Sequence, residues 1–385
     1  HWHKYLNKFT KTLFLWKSRH LSLVSKSHII NLLACSQLWY TATVIDIPNH
    51  YLTLFNRNIF QFLWNSKFEP LARAVCVNSL EDGGLNIPQL ECKLRALRIQ
   101  HIQKLLDDSY SAKWKLFARY WIGLQLRSFN PNLGLNLYTH TLYVPPFYKK
   151  CITIFKTFHE NNPEITFGQI PTKIIYQREL QNYLLEPKIL KLYDFYFPNI
   201  WKNLHNKFID PITRDVCFKT IHDILPVNYN MYLKRISKSK FCTFCGEIET
   251  VDHLFFECKI VYPLQHLVVK WLKQLSGNSF NTFYTFLKFG LFPKEASFSE
   301  PEFEDSYLLL CAEYKYAIWI KRIRAYYYKE VVTSNTLLSF FLSRLKCRIR
   351  ADFKRLNIVH FIDKWCLAGL FCSLHNFELV IDISL

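Results

Sequence analysis

The chain has 385 residues, more than one hydrophobic core usually serves, so we expect two or three packing units. Half of the residues are hydrophobic and 17% are aromatic, a composition that excludes an intrinsically disordered protein. The formal net charge of +19 favours a polyanionic partner, because neutralising phosphates releases counterions. A basic surface with no dedicated partner is the simpler alternative.

The sequence contains no run of eighteen apolar residues, so it predicts no membrane-spanning helix and no membrane partner. The N-terminal stretch carries charge throughout and lacks the apolar core of a signal peptide. Twelve cysteines in such a chain predict a reducing intracellular compartment, nuclear or cytoplasmic, where clustered cysteines are better explained as metal ligands than as disulfides. The chain begins with His1 and has one methionine, Met231, which leads us to expect a fragment of a longer protein.

Residues 1–66 are predicted to be helical, from the spacing of their apolar residues and from Pro48, which suits a first helical turn. Residues 67–235 contain a β-like run and a double-glycine turn in "VCVNSLEDGGLNIPQL", where Gly83 and Gly84 permit positive φ. Pro88 then begins a helix that we predict to be amphipathic and basic. Its apolar stripe is Leu90, Leu94, Leu97 and Leu105, and the cations off the stripe are Lys93, Arg95, Arg98 and Lys104.

Within residues 276–385, the chain is predicted to be helical again after residue 300, with one apolar stripe and a strong excess of cations. Between Tyr314 and Arg355 there are eleven Lys or Arg residues and two Asp or Glu residues. This stretch therefore holds about half of the whole positive excess. The predicted stripe has spacings of 4, 3, 4, 4 and 3 residues and consists of Leu338, Leu342, Leu345, Ile349, Phe353 and Leu356.

One short stretch, "FCTFCGEIETVDHLFFEC", brings together Cys242, Cys245, His253 and Cys258. Zinc prefers four tetrahedral ligands drawn from thiolate and imidazole, and two residues between cysteines let a tight turn aim both sulfurs at one point. Gly246 follows the second cysteine, where backbone freedom is useful. Four protein ligands leave no open position, so the predicted zinc site is structural; the alternative is four unrelated residues in a cysteine-rich chain.

The second half of this stretch imposes a constraint on the backbone. His253 and Cys258 are five positions apart, which in a regular helix means a displacement of about 7.5 Å along the axis. Because that separation is too large for two ligands of one ion, we predict that the chain turns between them. We expect Cys258 to lie just before a helix that contains Val261, Leu264, Val268, Trp271 and Leu275.

The stretch "FCTFCGEIETVDHLFFECKIV" resembles the zinc-binding segment that follows the polymerase domain in LINE-type non-LTR retrotransposon reverse transcriptases. Three further stretches fit the family in the same order, namely "WKSRHLSLVSKSHIINLLACSQLWY", "FNRNIFQFLWNSK" with "LEDGGLNIPQL", and "YKYAIWIKRIRAYYY". The resemblance implies thumb-like helices at 1–66, a connector with a hairpin and helices at 67–235, a CCHC zinc-binding module at 236–275 and a basic helical region at 276–385.

The sequence departs from the family at Ser25, where glycine is common, and at Gln265, where tryptophan often ends the helix; neither position is a zinc ligand. The metal-binding [FY]-x-D-D motif of the polymerase has no match, and Asp107 and Asp108 are interpreted as a solvated helix end. The endonuclease domain of these elements has no match either. We therefore expect no catalytic residues, no enzyme activity and no small-molecule substrate in this chain.

The resemblance implies that the chain is a C-terminal part of a larger enzyme and that it positions template RNA and target DNA for target-primed reverse transcription. The polymerase portion of the same polyprotein is then a further expected partner. The fold is expected to be mostly α and multi-unit, with a small CCHC zinc knuckle and a few short strands near residues 72–87 and in the knuckle. The alternatives are an intracellular zinc-stapled protein-interaction scaffold and a decayed copy without function. The candidate nucleic-acid contacts, which equally suit a solvated basic face, are Lys238, Lys240, Lys259, Lys321, Arg322, Arg324, Arg344, Lys346, Arg348, Arg350, Lys354 and Arg355.

Overall fold

The computed structural model of the chain describes residues 1–133, 143–163, 170–192, 199–276, 287–291, 301–366, 369–375 and 378–383. The chain divides into two compact units, one formed by His1–Ser79 with Gly83–Leu185 and the other by Leu80–Asp82 with Glu186–Leu385. The finer division into four regions, made from the sequence, stays a prediction. No helix in the described ranges combines the length and the apolar content that a bilayer crossing needs.

The regular secondary structure in the described part of the first unit consists of helices. A π-helical segment, Ile30–Cys35, continues α2 into α3, and a 3-10 turn, Leu124–Leu126, follows α7. The α-helices are α1 (Trp2–Lys17), α2 (Leu23–Ile29), α3 (Ser36–Ala42), α4 (Asn49–Trp64), α5 (Arg73–Val77), α6 (Leu90–Leu106), α7 (Trp114–Ile122), α8 (Pro146–Asn161) and α9 (Thr172–Gln181).

The second unit contains further helices, a π-helical segment at His253–Glu257 and a two-stranded antiparallel sheet, so the mostly α fold class is confirmed. The strands are β1 (Ser373–His375) and β2 (Glu378–Val380). The α-helices are α10 (Lys188–Leu192), α11 (Ile200–Leu204), α12 (Pro211–Ile221), α13 (Asn228–Leu233), α14 (Tyr262–Ser276), α15 (Pro301–Tyr328), α16 (Ser334–Arg355) and α17 (Ile358–Trp365).

The strand expected near residues 72–87 is a helix instead. Val75, Cys76 and Val77 lie in the short helix α5 and are all buried. A run of three apolar residues cannot by itself distinguish a strand from a buried helical turn, which is why the pattern was misleading. The double-glycine turn is present, because Gly83 has a φ of +75° and the N–H of Leu85 donates to the carbonyl of Cys76 at 3.0 Å.

Helix α6 lies at the centre of the first unit and packs against α8 and α9. It is buried on more sides than the predicted amphipathic pattern implied, since Arg98 is only 1% exposed and pairs with Asp46 at 2.7 Å. An Arg side chain in such a position needs a charged or carbonyl partner, and the carbonyl of Ala42 also accepts from it. Arg98 is therefore part of the core rather than of a basic surface.

The long helix α15 lies at the centre of the second unit and packs against α12, α14, α16 and α17. Its buried residues include Tyr307, Cys311 and Tyr314. On α16 the buried stripe begins with Leu337 and Phe341 rather than with the predicted Leu338 and Leu342, which are only partly buried. The predicted and observed stripes share Leu345 and Ile349, so the helical periodicity was predicted correctly. The predicted stripe begins one residue after the observed one, at position 338 instead of 337.

Candidate metal centre

The first two candidate ligands lie on a tight turn that follows α13. Phe241 and Ile248 form an isolated antiparallel bridge, which closes the turn that carries Cys242 and Cys245. Within it, the N–H of Gly246 donates to the carbonyl of Cys242 at 3.0 Å. Gly246 has a φ of +86°, a conformation that glycine adopts without steric cost, so the residue type fits the backbone that the turn requires.

His253 and Cys258 are brought together by the π-helical segment. The N–H of Cys258 donates to the carbonyl of His253 at 2.8 Å, a bond across five positions that an ordinary α-helix does not form. The N–H of His253 is held by the hydroxyl of Thr250 at 2.9 Å, which fixes where the turn begins. The predicted turn between the two ligands is thus a wide helical turn, after which Cys258 precedes α14 as expected.

The four candidate side chains converge, with one ligand atom from each lying within 4.8 Å of all the others. The Sγ of Cys245 and the Nε2 of His253 are 3.1 Å apart. Tetrahedral zinc, with bonds of about 2.0–2.3 Å, requires its ligand atoms to lie about 3.5 Å apart, so the cluster fits zinc with small shifts. Three thiolates and one imidazole are also the donor set that structural zinc prefers.

The centre is mostly shielded from solvent. Cys258 is fully buried and Cys242 and His253 are nearly so, while Cys245 is more exposed. A hydrogen bond with Cys258 and burial raise the pKa of the Cys242 thiol, and burial raises the pKa of Cys245. These thiols therefore hold their protons in the absence of a cation, and binding a metal must displace them.

A buried glutamate in the turn between Cys245 and His253 was not predicted from the sequence. Glu249 is fully buried and pairs with Arg322 of α15 at 2.9 Å. Nothing local distinguishes it from Glu247, which is exposed two positions earlier, because both belong to the same short turn. The only available hint was its position midway between Cys245 and His253.

The candidate nucleic-acid contacts differ in how much of each side chain is exposed to solvent. Lys321 is buried beside Glu330, and Arg322 is buried beside Glu249. Arg344 and Arg348 both reach the fully buried Glu313, at 2.5 and 2.6 Å. Lys240 is also only partly exposed. The residues that remain exposed to solvent are Lys238, Lys259, Arg324, Lys346, Arg350, Lys354 and Arg355.

Residues 189–264, which include all four candidate ligands, match the family model described as zinc-binding in reverse transcriptase. A stretch of 105 residues is 27% identical to the Transposon TX1 uncharacterized 149 kDa protein of Xenopus laevis. That stretch is 27% of this chain and 8% of the Xenopus protein, so the chain spans only a small part of its relative.

Proposed function

Since residues 189–264 are a reverse-transcriptase zinc-binding region of the non-LTR retrotransposon type, with zinc as its cofactor, we propose that this chain binds nucleic acid for such an enzyme. Cys242, Cys245, His253 and Cys258 would hold the zinc. A closed four-ligand site supplies a cross-link between the turn and the π-helical segment. The role of the zinc in this proposal is therefore structural.

A row of exposed cations on α16 carries the proposal. Lys346, Arg350 and Lys354 follow one another at four-residue intervals, so they lie on one face of the helix about 6 Å apart. None of the three takes part in an ion pair within the described residues. Cations that are not neutralised by nearby carboxylates are available to phosphates, and neutralising phosphates is the main source of affinity for nucleic acid.

The surface beside the zinc loop supports the same proposal. Lys238 precedes Cys242 and Lys259 follows Cys258 in the chain, and both are exposed to solvent, as is Phe241, at 52%. The Nζ of Lys240 lies 5.9 Å from the centre of the Phe241 ring. An exposed ring next to a cation suits an unpaired base, which can stack while its phosphate is neutralised.

The finer proposal is that the bound strands are template RNA and target DNA, and that the polymerase portion of the same polyprotein works beside this chain. Its place of action would be the nucleus and the cytoplasm. Contacts made by cations to phosphates carry little base information, so specificity would come mainly from nucleic-acid shape.

The test is the salt dependence of binding to RNA and to duplex DNA. The triple variant Lys346→Gln, Arg350→Gln, Lys354→Gln should lower the slope of log affinity against log salt by about 2 to 3, because each phosphate contact contributes about 0.7–0.9. The matched control is Lys4→Gln, Lys8→Gln, Lys11→Gln, which removes the same charge from exposed positions on α1. An unchanged slope, or an equal fall in the control, would contradict the proposed surface.

A protein-interaction scaffold is the second candidate, and one feature of α7 favours it. Leu116 and Phe117 are 69% and 67% exposed, and Tyr120 and Leu124 extend the same apolar face. Exposed apolar faces of this kind often bind other proteins. Affinity for RNA that is weak at low salt and does not respond to salt would favour this candidate over the first.

A further inference from the structure

The backbone of Cys242 is held on both sides by buried polar groups. The amide of Asn228 donates to the carbonyl of Phe241 at 2.6 Å, on the N-terminal side of the cysteine. The N–H of Thr243, on the other side, lies 3.4 Å from Oε2 of Glu249. The orientation of the first candidate ligand is therefore set by two residues that do not themselves belong to the metal centre.

These two residues are joined to α15 through a single arginine. The Nε of Arg322 donates to Oε1 of Glu249 at 2.9 Å, and its Nη2 donates to Oδ1 of Asn228 at 2.8 Å. Asn228 in turn donates to both carboxylate oxygens of Glu249, through its backbone N–H at 3.0 Å and its amide at 3.1 Å. All three side chains are at most 4% exposed.

We propose that Glu249, Asn228 and Arg322 are positioning residues for the zinc centre, so that metal affinity depends on a buried ion pair that contains no ligand. The inference uses the four-ligand assignment and makes no use of nucleic-acid binding. It also gives Arg322 a different role from the phosphate contact expected from the sequence, because a guanidinium that donates through Nε and Nη2 to buried partners and is shielded from solvent has no access to a polynucleotide.

The physical reason lies in preorganisation. A metal centre binds tightly when its ligands already have the required positions, and outer groups that fix them typically contribute 10- to 100-fold in metal affinity. A buried ion pair is also sensitive to the loss of one partner, because the other is left without compensation in a medium of low polarity. Removing either charge should therefore let the turn that carries Cys242 and Cys245 move.

The experiment measures zinc affinity of the full chain by competition with a chromophoric chelator, together with the absorption spectrum of the Co²⁺-loaded protein. We expect Glu249→Gln and Arg322→Met each to lower zinc affinity about 10- to 100-fold. The Co²⁺ spectrum should keep the features of three thiolates and one imidazole, because no ligand is lost. Glu249→Gln combined with Arg322→Met should lower affinity by less than the product of the two single effects.

The matched control is Asp352→Asn, which breaks another buried pair of the second unit, with Lys364 at 2.6 Å. It should lower the melting temperature without changing zinc affinity. If Glu249→Gln does not fold, Arg322→Lys is the second variant. A lysine keeps the positive charge but cannot reproduce the two directed bonds of the guanidinium to Glu249 and Asn228, so it should still weaken zinc binding. Wild-type zinc affinity in the folded variants, or an equal loss in Asp352→Asn, would overturn the inference, whatever the result of the nucleic-acid experiment.

Discussion

The buried face of α16 can be tested with two neighbouring leucines that differ in burial alone. Leu337 is fully buried, while Leu338 is only partly buried, and both lie in the first turns of the helix. Leu337→Ala removes the same atoms as Leu338→Ala, and both variants keep a good helix former. Because α16 packs against α14 and α15, a cavity at position 337 opens inside the core of the second unit.

The magnitudes follow from the cost of cavities. A fully buried Leu→Ala change costs about 3 kcal/mol or more, and we expect about 1 kcal/mol at the partly exposed position. In a unit of about this size, 1 kcal/mol corresponds to a shift in melting temperature of about 2–4 °C, so Leu337→Ala should lower it by about 6–12 °C. Differential scanning calorimetry and urea unfolding measure both variants. A larger loss in Leu338→Ala would refute the observed register and restore the stripe expected from the sequence.

Three further outcomes are expected. Cys245→Ser should lose stoichiometric zinc by elemental analysis and expose residues 240–275 to limited proteolysis while leaving α1 protected, and an unchanged cleavage pattern would count against the structural role of the metal. Burial, with the charges of Arg98 and Lys104, lowers the pKa of His101 to about 4, below its usual 6.5. The neutral ring therefore makes its full contribution to the free energy of unfolding above about pH 6.5, and up to about 3 kcal/mol of that free energy is lost as the pH falls towards 4. In urea titrations at different pH values, His101→Phe should reduce this loss of stability at acid pH. Phe241→Leu should lower affinity for a single-stranded oligonucleotide about tenfold while Phe241→Tyr leaves it unchanged, and equal behaviour of the two variants would exclude stacking.

The convergence of the four candidate ligands was largely predictable because its information is local. Cys242, Cys245, His253 and Cys258 lie within one short stretch, and the geometric conflict between the last two already required a departure from a regular helix. The kind of turn was not predictable, since a π-helical segment depends on hydrogen bonds that the residue pattern does not encode. The helix after Cys258 followed from ordinary apolar periodicity.

The ion pairs of the basic residues could not be predicted from local sequence. Arg322, Arg344 and Arg348 belong to the stretch with the strongest positive excess, yet each faces a carboxylate that lies far away along the chain. Glu249 is 73 residues from Arg322, Glu313 is 31 residues from Arg344, and Asp210 is 138 residues from Arg348. The count from Tyr314 to Arg355 includes none of these three carboxylates, since it begins one residue after Glu313 and lies far from Glu249 and Asp210. It therefore overestimates how much of the positive excess reaches the surface.

The bond between the Cys258 N–H and the His253 carbonyl makes the number of residues between these two candidate ligands a determinant of metal binding. With one residue fewer between these positions, an α-turn would close instead, and the last thiol would rotate by about 100° away from the other three. A single-codon deletion in this segment is therefore equivalent to the removal of a ligand, although every cysteine and histidine is retained. Deleting or inserting one residue between His253 and Cys258 therefore tests zinc binding as directly as replacing one of the four ligand side chains.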